Sequence, residues 1–282
     1  MADHQILIVG GGAAGIATAA SLHKRDASLD IAIIEPSTTH YYQPGWTMVG
    51  AGVFKKEETA RSTASVMPSY VTQIRGTVAS FQPDENSVRL EDGKALTYGS
   101  LVVAAGLKLD WAAIEGLEEA LGRNGVTSNY RYDLAPYTWE LVQKMRGEKA
   151  IFTQPPMPIK CAGAPQKAMY LSCSTWMQVG KIKDIDVSFC NAGPVLFGCA
   201  DYVPPLMEYV DRYGINLDFG YNLVKVDGPN QTATFKVTKE GEEPQLIERK
   251  FDMLHVCPPQ CAPDFIKESP LANEGGWMAV DQ

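Results

Sequence analysis

The sequence has 282 residues, 45% of them hydrophobic and 21% charged, with a formal net charge of −8; that is enough chain for two domains with substantial cores. The acidic balance, with no cluster of Lys and Arg, argues against nucleic acid as a partner. The six cysteines are too sparse for a disulfide scaffold, and Cys257 and Cys261 sit among prolines with no neighbouring His to complete a zinc set, so no metal is expected.

Gln5 to Val9 is an apolar strand, followed by Gly10-Gly11-Gly12-Ala13-Ala14-Gly15 and a helical pattern over Ile16 to Lys24. This is G-x-G-x-x-G in its required setting of strand, tight turn and helix. A second strand, Ile31 to Ile34, ends in Glu35. The glycines let the backbone approach a pyrophosphate, the helix N-terminus holds it, and the carboxylate accepts from a ribose hydroxyl. A dinucleotide site is predicted here; the competing reading is a glycine turn used only for packing. His40 to Trp46, rich in aromatics, reads as an ordered loop past the carboxyl end of the second strand, where ligands sit in open α/β sheets; an aromatic surface loop is the plainer alternative.

From Gly76 the pattern alternates, with strands at 77–81, 87–90 and 95–97, and reads as an antiparallel meander. Ser100 to Gly106 is a buried strand closing on small residues. Leu141 to Glu148, charged and polar, reads as a crossing between domains. A second α/β pattern follows: strand 150–153, helix 166–179, strand 185–189, a helix near 204–213, strands near 215–219 and 221–227, a second meander at 232–237 and 246–251, and a last strand, Met253 to Cys257. The fold class is therefore α/β, with two Rossmann-like domains of the FAD/NAD(P)-binding type. Residues 1–147 form the first, with an inserted meander; 148–268 form the second, carrying Cys161; 269–282 start a return to the first and read as cut short.

The second half lacks its own dinucleotide signature. Its first turn, from Gln154, holds only Gly163, and the strand at 185–189 leads into Cys190-Asn191-Ala192-Gly193 rather than an acid. A pyridine nucleotide is thus not the expected electron donor. That first turn instead holds Pro158-Ile159-Lys160-Cys161-Ala162-Gly163-Ala164-Pro165-Gln166-Lys167. Cys161 lies between a strand and a helix, near a helix N-terminus and between two lysines, a setting that favours the nucleophilic thiolate. A buried structural cysteine is the alternative.

Together, Gly10 to Gly15, Glu35, His40-Tyr41-Tyr42-Gln43-Pro44, Thr63 to Pro68, Ile159 to Lys167 and Met253 to Val256 resemble the sulfide:quinone oxidoreductase family, in the branch that includes the mitochondrial enzymes of animals. The resemblance runs over essentially the whole chain. It implies FAD along Gly10, Gly12, Ala13, Ala14 and Gly15, its ribose on Glu35, its flavin end near Gln43, its adenine side at the Val78 backbone, and Ala105 and Gly106 close to the cofactor. It implies that Cys161 is one redox-active cysteine, that sulfide leaves a persulfide, and that two electrons pass through FAD to a quinone. The sulfane sulfur leaves to a small thiol, sulfite or polysulfide. The family also has a second redox cysteine and membrane-docking C-terminal elements, which this sequence does not supply, so the partner of Cys161 is left open. Two alternatives remain: a type II NADH:quinone oxidoreductase-like flavoprotein, and a catalytically incomplete FAD-binding fragment. The N-terminus shows no signal or transit pattern, and no run approaches the ~20 apolar residues of a membrane span. The expected location is peripheral, on the cytoplasmic or mitochondrial inner membrane.

Overall fold

Unbroken apolar runs mark strands that are covered on both faces, and Ile31 to Ile34 are buried throughout. In the computed structural model, which describes residues 2–281, these runs lie at the centre of the first of two compact units. That unit comprises Met1–Tyr41, Ala60–Lys108 and Cys261–Gln282. Its sheet contains β1 (His4–Val9), β2 (Ile31–Ile34), β3 (Thr72–Ile74), β4 (Val78–Gln82), β5 (Ser87–Leu90) and β6 (Ala95–Val103), in the order β3-β2-β1-β6-β5-β4. Strands β3, β2, β1 and β6 are parallel; β6, β5 and β4 form the antiparallel meander. Helix α1 (Ala13–Arg25) follows β1.

The two separate strands expected at 95–97 and 100–106 are one. Strand β6 pairs with the meander through Ala95 to Thr97 and with β1 through Tyr98 to Val103. Gly99 permits the passage, since a Cβ there would meet the Gln5 carbonyl oxygen at 2.9 Å.

The second unit comprises Tyr42–Thr59 and Leu109–Gln260. Its sheet is all parallel: β7 (Val126–Thr127), β8 (Lys149–Gln154), β9 (Asp186–Asn191), β10 (Asn216–Phe219) and, after a three-stranded antiparallel sheet of β11 (Tyr221–Asp227), β12 (Thr232–Val237) and β13 (Gln245–Lys250), β14 (Met253–His255). The parallel order is β7-β14-β8-β9-β10. Helices α2 (Gly45–Gly50), α3 (Ala135–Lys144), α4 (Gly163–Gln178) and α5 (Val203–Tyr213) belong to this unit. Phe152, Met169, Trp176 and Phe189 are fully buried at its centre.

These units divide the chain differently from the expected segments 1–147, 148–268 and 269–282. Residues 109–147 cluster with the second unit, and residues 261–268 with the first. Packing gives the reason. Residues 141–144, expected as a polar crossing, end helix α3; Val142 is buried and its carbonyl accepts the indole N–H of Trp176 at 2.9 Å. Strand β7 pairs with β14. Ala262 and Ile266 join the core of the first unit. Residues 42–59 contribute α2, where the sequence suggested a loop; Trp46 and Val49 pack against Ala135. Among the described residues no helix is long and apolar enough to cross a membrane.

One buried group couples this second core to pH. His255, on β14, is fully buried beside Phe152, and its Nε2 accepts the Asn129 backbone N–H at 3.0 Å. Burial pushes its pKa down to about 4. In the unfolded chain it titrates near ~6.5, so below that pH protons favour unfolding, and the effect is complete only below the folded value. Stability is therefore full above pH ~6.5 and falls as the pH drops towards about 4. Urea unfolding across that window should show a wild-type loss approaching ~1.4 kcal/mol per pH unit from this residue, absent in His255→Gln.

Candidate functional site

The chemistry-bearing residues form two groups, one in each unit. In the first, β1 ends at Val9 and the chain turns sharply. Gly10 has φ +106°, and a Cβ on it would run into the Ala104 carbonyl. A Cβ on Gly15 would overlap the Gly10 carbonyl. These two glycines let α1 start directly against the strand ends. Gly12, Ala13 and Ala14 are exposed, and the space over Gly12 is open. The first turn of α1 carries no acidic side chain to compete for its backbone N–H groups. An anion is therefore favoured at this helix end by both free donors and dipole.

Glu35 follows β2 and is fixed by two backbone donors. Gly11 N–H donates to its Oε2 and Ser37 N–H to its Oε1, both at 2.7 Å. Each oxygen keeps a lone pair for a ribose hydroxyl. A cleft of about 410 Å³ is lined by Pro36, Arg75, Gly76, Thr77, Leu90, Glu91 and Asp92, the sequence neighbours of Glu35 and of Val78, which heads β4. Ala105 and Gly106 follow β6, whose neighbour Ala104 donates to the Val9 carbonyl at 2.7 Å, and the space over Gly106 is open. Gly10, Gly12, Ala13, Ala14, Gly15, Glu35, Val78, Ala105 and Gly106 thus all belong to one unit. Gln43 does not. It lies in the second unit, where its Oε1 accepts a hydrogen bond from Lys160 Nζ.

The second group surrounds Cys161, in the turn between β8 and α4. Helix α4 starts at Gly163, earlier than the expected 166, with Ala162 as its N-cap. Cys161 therefore stands one residue outside the helix, and its carbonyl accepts the Ala164 N–H at 2.8 Å. Its φ of +61° is in the left-handed region, which non-glycine residues seldom adopt. The side chain is exposed, and Lys167 Nζ lies 3.6 Å from its Sγ. Lys160 is exposed as a whole, but its ammonium is partly desolvated; burial lowers its pKa, against an upward pull from negative charge at Cys161. Behind the turn stand three buried side chains. Tyr130 Oη donates to the Lys160 carbonyl at 3.3 Å, and Gln260 Oε1 accepts the Lys160 N–H. Cys257 lies beside Tyr130; burial pushes its pKa up to about 12, with charge at Cys161 adding and the Tyr130 hydrogen bond opposing. Burial chiefly, then Cys257 and Cys161, also raises the pKa of Tyr130, so its hydroxyl stays a donor. Of the other thiols, Cys173 and Cys190 are buried and pushed up by burial, Cys190 to about 12. Cys199 is exposed and Cys261 half-buried.

The comparisons with known proteins bear on the fold and on the family. Residues 4–141 match the family described as pyridine nucleotide-disulphide oxidoreductase. Over 279 residues the chain is 39% identical to the mitochondrial sulfide:quinone oxidoreductase of Mus musculus, covering 99% of this chain and 62% of that protein. Over 282 residues it is 40% identical to the mitochondrial sulfide:quinone oxidoreductase of Dictyostelium discoideum, covering 99% of this chain and 61% of that protein. The chain thus spans about three fifths of the length of these curated relatives. The X-ray structure of the sulfide:quinone oxidoreductase from Aquifex aeolicus superposes with a TM-score of 0.81 at 20% identity, over 96% of this chain and 62% of that one, which shows the shared fold. The resemblance read from the motifs and the α/β class are borne out. The turn of β1 into α1 is that of a Rossmann-type FAD-binding domain, and its residues fit FAD: a bare glycine turn under open space, free helix N–H groups, and a carboxylate already aimed.

Sequence reasoning missed Tyr130 and Gln260 altogether and treated Cys257 as a small core residue. Tyr130 and Cys257 follow the parallel strands β7 and β14 at their carboxyl ends, and that position was the available signal; Gln260 lies in a short strand of its own, Gln260–Cys261, and no sequence signal marked it. Gly15→Val should force α1 away from Gly10. Purified variant protein is expected to lose bound flavin, read as the ratio of visible flavin absorbance to protein absorbance, while keeping the far-ultraviolet signal of a folded α/β protein.

Proposed function

We propose that this chain carries out flavin-dependent oxidation of sulfide, with Cys161 as a redox cysteine, FAD as the cofactor and a quinone as the electron acceptor. The observation that carries the reading is Cys161: an exposed sulfur held outside a helix end, 3.6 Å from the Lys167 ammonium, in a chain that also has a flavin cradle. Relatives named sulfide:quinone oxidoreductase along 99% of the chain support it.

In this reading sulfide anion attacks a disulfide that joins Cys161 to a second cysteine. The old S–S bond breaks, a new one forms in a persulfide, and the displaced sulfur leaves with the electron pair as a thiolate. Lys167 stabilises negative charge on the Cys161 sulfur. Bound FAD supplies two-electron acceptor chemistry, with Gly10, Gly12, Ala13, Ala14 and Gly15 at its pyrophosphate, Glu35 at its ribose, Val78 on its adenine side, and Ala105 and Gly106 along it. Gln43 orients Lys160 within the second unit. The persulfide sulfur passes to a small thiol, sulfite or polysulfide. Contact with a membrane surface, where quinone resides, is peripheral in this reading; the mitochondrial inner membrane or a bacterial cytoplasmic membrane is the proposed place.

Anaerobic titration with sulfide, followed at the visible flavin band, tests the proposal. Bleaching is expected in the wild type and lost in Cys161→Ser. Lys167→Met should slow it by about fivefold, the worth of one ionic contact near a wet surface. A flavin that ignores sulfide but bleaches with NADH would overturn the reading in favour of an NADH:quinone oxidoreductase.

A further inference from the structure

Cys161 occupies a backbone conformation that an L-residue adopts only when its surroundings impose it. Within the second unit, what imposes it is visible on the preceding residue. Both polar groups of the Lys160 backbone are taken by side chains that are themselves more than nine-tenths buried: Tyr130, 8% exposed, donates to the carbonyl, and Gln260, 8% exposed, accepts from the N–H. Tyr130 lies in the turn that follows β7, and Gln260 lies in a short strand of its own, Gln260–Cys261, so the two reach the Lys160 peptide from different segments of the chain. The Lys160 side chain is anchored independently by Gln43. On the other side, the Cys161 carbonyl accepts the Ala164 N–H in the first turn of α4. Lys167, one turn into that helix, then faces the sulfur.

We infer that Tyr130 and Gln260 are positioning residues, which clamp the Lys160 peptide so that Cys161 stays left-handed and its sulfur stays against Lys167. Released from either clamp, the turn relaxes towards an ordinary negative φ and the sulfur swings away from the ammonium. The inference deepens the proposed role of Cys161 and rests on it for its meaning in catalysis, but its test uses neither sulfide nor flavin. A failed clamp and a failed sulfide reading are therefore told apart.

The test is alkylation of the full chain with two probes of similar size, neutral iodoacetamide and anionic iodoacetate, at one pH. The modified Cys161 peptide is followed by mass spectrometry. A cation beside the sulfur favours the anionic probe, so the iodoacetate-to-iodoacetamide rate ratio reports how close Lys167 lies. General loosening changes both rates alike and leaves the ratio fixed. Exposed Cys199 provides an internal reference for the reagents. Lys167→Met should lower the ratio by about fivefold, in line with a single charge at this distance in water. Tyr130→Phe and Gln260→Met should each lower it to a similar degree. In Tyr130→Phe/Lys167→Met, the ratio should fall no further than in Lys167→Met alone, because both changes remove one contact. An unchanged ratio in Gln260→Met overturns the inference even if Tyr130→Phe fails to fold. Additive falls in the double variant overturn it as well, since the hydroxyl would then be acting on the sulfur by a route of its own.

Discussion

The site around Cys161 depends on keeping one peptide in an unfavourable conformation. A non-glycine residue at φ +61° costs roughly 1–2 kcal/mol against its relaxed state. A surface turn would shed that cost, and this one sits at the surface. It holds because the residue before it is bonded to buried groups from two different segments of the chain and the residue after it is committed to a helix. The exposed sulfur and the Lys167 ammonium are therefore placed by those bonds, and the turn has little freedom of its own.

The same division of labour shapes the first unit, where close backbone approach replaces a strained side chain. Gly10 and Gly15 meet with no space for a Cβ, and that contact lets α1 begin at the edge of β1. The open space over Gly12 and the backbone donors on Glu35 follow from it. In both units the reactive or binding edge is the carboxyl end of a parallel sheet, where strand ends converge while helices start.

Burial sorts the sulfur atoms. Cys173, Cys190 and Cys257 sit where desolvation keeps the thiol protonated, whereas Cys161 and Cys199 reach solvent. Cys199 lacks what Cys161 has, a lysine ammonium within 4 Å and a turn pinned on both sides. In the proposed reading, exposure alone does not set Cys161 apart; the neighbouring positive charge does.

The sequence by itself determined the β1–α1–β2 cradle and most strands, because a glycine fingerprint and unbroken apolar runs are local signals that need no distant partner. It also singled out Cys161 and its two lysines, which lie within a few residues of one another. Three things were decided only by tertiary structure. Leu141 to Lys144 looked polar, yet became helix because Val142 found Trp176 across the fold. Gln43, near the first strand pair in sequence, joined the second unit by bonding Lys160. Tyr130 and Gln260 carry no motif at all. They lie 30 and 100 residues from the peptide they hold, and only the tertiary fold brings them there. Contacts of that span are created by the fold as a whole, which no local pattern in the chain records.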